Sequence, residues 1–313
     1  MGDNRWLRVA DVYRLAQDRT PEEREDNWGA IMCRVLSWAC LVPLMLTNAA
    51  QAQWLNHPDP RIPHGADGQA ILSAPAPRAS DGKPDLSGVW HVQAESLEEK
   101  RQRLGPEYGR IFVVGMEPTT TSMYATDVLL DYTPGEIVMS TEAEALYQRR
   151  RQGQELSPTT YCLPAGVPRA TLLSEAFKIV QTPGLTLVIH ELDGFPRQIY
   201  TDGRALPKKI DFPSWLGYSV GRWEDDTFVV ETIGFNDKSW LDGRGHPHSE
   251  ELHITERFRR RDVGHLDVEI TIDDPKSYNK PFSFKVTQLL EVDSDIVEYF
   301  CNEAADLIHI VKQ

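Results

Sequence analysis

The sequence predicts a mainly β protein whose core is an antiparallel barrel or a strongly bent sheet with helical insertions. Three observations support this fold class. From Phe177 onward, short runs of alternating apolar and polar residues are separated by turn-forming pairs such as Pro183-Gly184 and Val263-Gly264, as in antiparallel sheets. Each run has one apolar and one polar face, so each strand buries one side only. No internal repeat is visible, which argues against a propeller or a solenoid.

The alternation is clearest in the C-terminal half of the chain. Leu266, Val268 and Ile270 share one face of a predicted strand. Asp267 and Glu269 share the opposite face. Successive hairpins of this kind close most simply into an up-and-down barrel. The predicted strands cover residues 185–192, 198–200, 218–223, 227–235, 252–261, 266–272, 282–290 and 296–301.

The N-terminal part of the sequence predicts export. Residues 32–52 have a short basic start, an apolar stretch over 35–46 and a small-residue end at Ala50-Gln51-Ala52, the pattern of a secretory signal peptide. Residues 1–31 would then be an over-extended reading frame. Alternatively, residues 1–31 are a cytoplasmic segment and residues 35–46 form a buried helix. We expect a periplasmic or secreted protein with no membrane span after signal removal, because no other apolar run is long enough.

The expected order after the signal is a linker and then one β-rich domain. Residues 53–84 are rich in proline, alanine and histidine and predict an extended linker or surface wrap outside the core. The domain covers residues 85–313, with a helical insertion at about 95–155 whose best helical segments are 95–107 and 136–155. Arginines at 149–151 suit the C-terminus of the second helix, which we expect to end in solvent.

Charge and cysteine content limit the partners and the redox state. The formal net charge is −14, which repels phosphate backbones, so no nucleic-acid partner is expected. Cys33 and Cys40 would leave with the signal. Cys162 and Cys301 then remain as a disulfide candidate in an oxidising compartment. The alternative is two unrelated buried thiols.

The strongest candidate for a functional site is residues 236–250, which we call the histidine loop. It is long for a connection between strands, and long loops on rigid sheets often carry function. His246 or His248 is the expected general acid or base, because imidazole titrates near neutrality. Asp242 or Asp237 would orient it. Arg244 is the expected charge stabiliser, and Trp240 is an expected ligand contact.

Two other interpretations of the histidine loop stay open. In one, His246 and His248 bind a metal with Glu250 or His253, because an extended His-x-His places both imidazoles on one side. In the other, the loop has no chemistry and is ordered by its own hydrogen bonds. The spacing matches no established metal motif. We therefore predict neither a metal nor a cofactor.

Further ligand-contact candidates lie outside the loop. Tyr200 follows Arg197 by three residues, so the two side chains face opposite sides of a strand. We expect Arg197 to pair with Glu191 across strands, and Tyr200 is a candidate for ligand contact or charge stabilisation. Lys276 and Tyr278 follow an Asp-Pro turn between two predicted strands, where they are placed to contact a ligand or simply to form the turn.

Glu256 falls on the apolar face of its predicted strand. A carboxylate there is either paired with a cation or buried with a raised pKa, in which case it can serve as a base. We expect a structural pair with Arg222 or with an arginine within residues 257–261.

Two resemblances bear on the fold. Leu86-Ser-Gly88-Val-Trp90 resembles the Gly-x-Trp opening of lipocalin-type barrels, whose tryptophan closes one end, and this implies a calycin-like barrel. The mature chain as a whole resembles a family of exported bacterial proteins of unsettled function, which implies export and a β-rich architecture but no catalytic assignment. The segments that carry this resemblance are 81–90, 162–168, 197–203, 221–223, 232–237, 245–249 and 273–275.

These patterns lead to competing function classes. In the first, the protein is an extracytoplasmic, cofactor-independent enzyme that acts on a small apolar or aromatic molecule by acid/base chemistry, as a lyase, isomerase or hydrolase. In the second, it is a lipocalin-like protein that binds such a molecule without catalysis. A third class is an envelope structural protein with no small ligand. The sequence has no Gly-x-Ser-x-Gly elbow, P-loop or dinucleotide-binding glycine motif.

Overall fold

The computed structural model describes residues 59–105, 120–192, 194–292, 294–298 and 301. The predicted signal peptide, the segment before it and the first residues of the predicted linker lie outside these ranges. Within them, no helix is both long and apolar enough to cross a membrane.

The described strands form one closed barrel in which β9 pairs back onto β1. The predicted mainly β fold, a calycin-like barrel with helical insertions, is therefore confirmed. The strands are β1 Gly88–Val92, β2 Phe177–Thr182, β3 Leu185–His190, β4 Arg197–Tyr200, β5 Tyr218–Glu224, β6 Thr227–Ile233, β7 His253–Arg260, β8 His265–Asp273 and β9 Phe282–Leu290.

One strand pair departs from the antiparallel meander. β4 and β5 are parallel, with Ile199 opposite Ser219, whereas the other neighbouring pairs of the barrel are antiparallel. Residues 201–217 return the chain from one end of the barrel to the other, because a parallel pair needs a crossover and not a tight turn. The turn pair Asp202-Gly203 therefore opens a crossover.

The strand directions place the long connections at one end of the barrel, which we call the loop end. β1, β3, β6 and β8 finish there, and the strands that pair with them begin there. The connections at this end are 93–176, 191–196, 234–252 and 274–281. The histidine loop therefore lies beside the helical insertion and the turn before β9.

Two α-helices lie within the predicted helical segments: α1 Leu97–Leu104 and α2 Thr141–Arg151. Ser96 caps α1 and forms a capping box with Glu99, and Ser140 caps α2, which satisfies amide groups left free in the first turn. Short 3₁₀ helices occur at Met123–Ala125, Pro158–Tyr161 and Arg169–Thr171.

The barrel interior is packed with side chains. Trp90 is fully buried, donates from Nε1 to the Leu86 carbonyl at 3.0 Å, and lies under the Arg260 guanidinium, 4.9 Å from its ring centroid. Leu86 and Arg260 lie at the end of the barrel opposite the loop end, so Trp90 contacts groups at that end. A cavity between Leu86, Val188 and Phe228 measures about 10 Å³, hardly enough for one water molecule.

Residues 59–84 pack on the barrel. The amides of Val263 and Gly264 donate to the carbonyls of Ala74 and Leu72 at 2.9 and 2.8 Å. Ile62 belongs to the main hydrophobic core. The prediction that this segment stays outside the core was therefore wrong at Ile62, because an apolar side chain in an extended wrap can still reach the core between exposed neighbours.

The end of the chain also differs from the prediction. Residues 296–298 form no strand, because the free edge of β9 is already paired with β1. The Val297 amide instead donates to Glu191 at 2.7 Å. Cys162 and Cys301, the pair that the sequence left as a disulfide candidate, are bonded, with Cα atoms 5.4 Å apart.

Candidate functional site

The histidine loop is covered by α2. Arg150 places its guanidinium over the Trp240 ring, 5.1 Å from the centroid, and donates to the Gly245 carbonyl at 3.2 Å. The prediction that α2 ends in solvent was wrong for Arg150, which is buried on this loop. Gly245 allows the contact: its φ is +91°, and a Cβ there would lie 2.9 Å from the Cβ of Arg150.

Asp242 and His246 are joined by a short hydrogen bond within the loop. Oδ2 of Asp242 lies 2.5 Å from Nδ1 of His246. Oδ1 accepts from the amides of Gly245 and His246 at 3.0 and 3.1 Å, and Oδ2 also accepts from the Val128 amide at 2.9 Å. The carboxylate is fully buried, and these contacts hold it in one orientation. The expected contact between Asp242 and His246 is therefore present.

Charge in this pair is set by mutual stabilisation. Burial alone lowers the pKa of His246, but the charge and hydrogen bond of Asp242 outweigh it and raise the pKa above 6.5. Burial raises the pKa of Asp242, but His246 and the backbone amides outweigh it, so that pKa is lowered. Each group therefore favours the charged form of the other, an imidazolium beside a carboxylate. The Tyr147 ring stacks on His246 at 4.5 Å, and burial, followed by the Asp242 charge, raises the pKa of Tyr147 to about 12.

Nε2 is the ring nitrogen of His246 that Asp242 does not engage. Among the residues that the structure describes, none forms a hydrogen bond with Nε2. An imidazole oriented through Nδ1 with Nε2 unengaged can give or take a proton at Nε2.

The partner of Arg244 is Asp127. Its Nη1 lies 2.6 Å from Oδ2 of Asp127, and its Nη2 donates to the Leu104 carbonyl at 3.3 Å. The predicted role as a charge stabiliser for a ligand is not visible in this arrangement, since Asp127 already neutralises the guanidinium. This partner could not be predicted from the sequence, because Asp127 lies in the insertion, far from Arg244 along the chain.

Asp127, Asp242 and His246 each offer a ligand atom, and these atoms lie within 4.8 Å of one another. The donor chemistry is nevertheless poor for a metal. The oxygens of Asp242 already accept amide protons, and Asp127 is paired with Arg244. Nδ1 of His246 is engaged by Asp242. These contacts favour an acid/base cluster.

The metal set considered from the sequence is not assembled. His248 uses both ring nitrogens on protein groups: Nε2 lies 2.7 Å from Oγ of Ser239, and Nδ1 lies 3.1 Å from the Ser249 carbonyl. Glu250 is exposed, and His253 faces Glu231 at 3.6 Å. That interpretation of the His-x-His pattern is therefore not supported, because the two imidazoles serve different partners.

The turn before β9 fixes the far side of the histidine loop. Asp274 accepts from the Ser249 amide at 2.6 Å and from its hydroxyl at 2.8 Å. Tyr278 donates to the Pro247 carbonyl at 2.7 Å. Tyr278 is buried, and burial raises its pKa well above 10. This predicted ligand contact therefore holds the loop.

Glu256 lies inside the barrel, and its partner is Arg197. Arg197 donates from Nη1 to Oε1 of Glu256 at 3.1 Å, and from Nη2 to Oε2. It also donates to Ser219 at 3.1 Å and to Thr232 at 2.8 Å. The prediction that Arg222 or an arginine within residues 257–261 pairs with Glu256 was wrong. The side chains of Arg197 on β4 and Glu256 on β7 both point into the barrel interior.

The pairing of Arg197 with Glu191 was also wrong, since Arg197 lies opposite Val188 on β3 and points inward. Glu191 lies beyond the end of β3 and accepts from the amides of Ala176 and Val297. Tyr200 faces the outside, as predicted from its spacing to Arg197.

Three other predicted ligand contacts lie apart from the buried pair. Tyr200 packs under the Arg204 guanidinium, 3.8 Å from its ring centroid, and lines a pocket of about 320 Å³. Asp237 and Lys276 are exposed. The pocket is also lined by Pro164, Phe195, Pro196, Arg197, Gln198, Ser214, Trp215, Leu216, Gly217 and Tyr218.

Sequence reasoning missed several residues that the structure brings to the loop, namely Asp127, Tyr147, Arg150 and Ser239. Three of them lie in the insertion between β1 and β2, and no local pattern links them to residue 246. Ser239 carried a usable signal, because it precedes His248 in the same loop.

Comparison with known proteins assigns no role to any of these residues. No family model matches the sequence, and neither a curated protein nor a solved structure matches the chain significantly.

Proposed function

We propose that the protein is an extracytoplasmic, cofactor-independent enzyme that acts on a small apolar or aromatic molecule by acid/base chemistry, as a lyase, isomerase or hydrolase. The observation that carries the proposal is the 2.5 Å contact between Asp242 and His246 inside the protein. His246 is the proton-transferring group, and Asp242 orients it. Export remains part of the proposal, and the disulfide between Cys162 and Cys301 supports it.

The roles follow from the contacts of each group. Asp242 engages Nδ1, so His246 presents Nε2 to a reacting group. The Asp242 carboxylate raises the pKa of His246 and so favours its protonated form. In this proposal His246 acts first as a general acid and returns as a base after the proton has left. Tyr147 covers one face of the imidazole and limits water on that side. Arg244 balances the charge of Asp127 beside the pair.

The test compares variants on a pool of small aromatic and apolar compounds, analysed by mass spectrometry before and after incubation. We expect conversion by the wild-type chain and a loss of at least about 10²-fold in His246→Gln and Asp242→Asn, the usual contribution of a general acid or base. His265→Gln is the matched control, because His265 forms a 2.7 Å pair with Asp262 near the other end of the barrel. Equal conversion by wild type and His246→Gln would contradict the proposal.

A second candidate function is a small-molecule binding protein without catalysis. The pocket of about 320 Å³ supports it, because aromatic side chains such as Phe195, Tyr200 and Trp215 line its opening. The pocket is lined by residues around the starts of β4 and β5, toward the loop end of the barrel, and the ligand would bind there. A compound from the same pool that stays bound and unchanged, and is released by Trp215→Ala, would favour this function over the enzyme.

A further inference from the structure

Ser239 and His248 form a second side-chain pair in the histidine loop, separate from Asp242 and His246. Oγ of Ser239 lies 2.7 Å from Nε2 of His248. Nδ1 of His248 faces the Ser249 carbonyl at 3.1 Å. A carbonyl can only accept, so Nδ1 carries a proton. In the neutral imidazole Nε2 is then the acceptor, and the Ser239 hydroxyl donates to it. Burial lowers the pKa of His248, which favours this neutral form.

The His248 imidazole is held on its Nδ1 side by an anchored residue, Ser249. Asp274 accepts from both the amide and the hydroxyl of Ser249, at 2.6 and 2.8 Å, so the carbonyl that orients His248 belongs to an anchored residue. The Phe235 ring meets the imidazole edge to face, with centroids 6.0 Å apart. This is the order of groups in an activated nucleophile: hydroxyl, base and an orienting acceptor. Here a backbone carbonyl takes the place that a carboxylate holds in many such sites.

The hydroxyl lies next to the pocket described above. A Cβ at Gly166 would lie 2.9 Å from Oγ of Ser239 and 3.3 Å from the Trp215 carbonyl. Pro164 and Trp215 line the pocket, so the Gly166 backbone lies close to both Ser239 and a residue that lines the pocket. Ser239 is 1% exposed, so acylation of Oγ requires residues 164–166 to open locally, which favours a small acyl group.

We propose that Ser239 is a nucleophile activated by His248 and accepts the acyl group of small apolar esters. Oγ bonds to the acyl carbon while its proton passes to Nε2 of His248. The ester C–O bond then breaks, and the alcohol leaves with that proton. Water attacks the acyl-serine and gives a proton to His248, which returns it to Oγ as the acid leaves. This chemistry is independent of the proposal for His246.

The first experiment treats the full chain with phenylmethylsulfonyl fluoride and locates the modification by peptide mass spectrometry. We expect sulfonylation of Ser239, none at this position in Ser239→Ala, and a rate at least about 10²-fold lower in His248→Gln. The matched control is Ser277→Ala, since Ser277 is a buried serine in the neighbouring turn. It should be modified as fast as the wild type. No modification of Ser239 in the folded wild type, or an unchanged rate in His248→Gln, would overturn the proposal.

A second measurement keeps the proposal testable if His248→Gln does not fold. Ser239→Cys retains His248, and its thiol should react with iodoacetamide at least about tenfold faster than the thiol of Ser277→Cys, because a neighbouring base increases the thiolate fraction. Equal rates for the two cysteines, with near-ultraviolet circular dichroism showing native packing in both, would mean that His248 does not activate position 239.

Discussion

Arg197 on β4 and Glu256 on β7 form a two-point ion pair inside the barrel, and both side chains are almost fully buried. Ser219 and Thr232 complete the hydrogen bonds of the guanidinium. The two strands are not neighbours in the sheet, so this contact joins opposite parts of the barrel wall through its interior.

Removing one partner of this pair should lower the free energy of unfolding far more than removing both. Arg197→Met leaves the Glu256 charge buried and unpaired, and we expect it to lower the free energy of unfolding by about 3–5 kcal/mol. The double variant with Glu256→Met should recover much of that loss, because no uncompensated charge remains. Urea unfolding at neutral pH measures both values. Additive losses in the double variant would show that the pair is not coupled.

Asp242→Asn should change the titration of His246. The pKa of His246 is raised by the Asp242 carboxylate, so a neutral amide should bring it below 6.5, where burial alone places it. Nuclear magnetic resonance of the imidazole protons between pH 5 and pH 9 follows the change. The pKa values of the other histidines should be the same in the wild type and the variant. A His246 pKa that is the same in both proteins would contradict the assigned cause.

The same pair has a defined pH window of stability. The contribution of His246 is fully present below 6.5 and is lost as the pH rises through its raised folded pKa. The contribution of Asp242 is present above 3.8 and is lost as the pH falls through its lowered folded pKa. The wild type should therefore be more stable than Asp242→Asn most clearly between about pH 3.8 and pH 6.5. Urea midpoints across the pH range measure this difference.

His190 should make the barrel sensitive to acid. Burial, and next the charge of Arg197, lower its pKa to about 3 from 6.5. Neither ring nitrogen has a hydrogen-bond partner in the described part of the chain. The unfolded state therefore binds a proton that the folded state rejects between these values, and stability falls as the pH decreases from 6.5 towards 3.

The matched variant for this test is His190→Phe, which keeps a ring beside Phe177. In the wild type the ring centroids of His190 and Phe177 are 5.4 Å apart. It removes the titrating group, so the stability of wild type relative to the variant should decrease steadily from pH 6.5 to pH 4 in urea unfolding. A constant difference across this range would mean that His190 does not titrate as described.

Gly245→Ala should disturb the histidine loop more than a glycine replacement elsewhere. Gly245 has φ +91°, and the new methyl group would lie 2.9 Å from the Cβ of Arg150. We expect a loss of about 1–3 kcal/mol, the usual range for backbone strain. Gly68→Ala is the control, because its φ is +78° but nothing lies within 4 Å of the added carbon. A larger loss at Gly68 in thermal unfolding would argue against the Arg150 contact.

The sequence by itself determined the β-rich fold and most of the strands. Alternation of apolar and polar residues is a local signal with a period of two, and turn pairs mark its limits. The contact between Asp242 and His246 was also within reach, because both residues belong to one loop and are four positions apart. Local proximity limits the possible partners to a few.

Only the tertiary structure decided which distant residues meet. The parallel pairing of β4 with β5, the partner of Glu256 and the burial of Arg150 depend on barrel closure, which no short window of sequence records. The same holds for Asp127 and Tyr147, which reach the histidine loop from the insertion. The packing of separate elements decides which side chains form such contacts. The partners therefore depend on three-dimensional position and not on spacing along the chain.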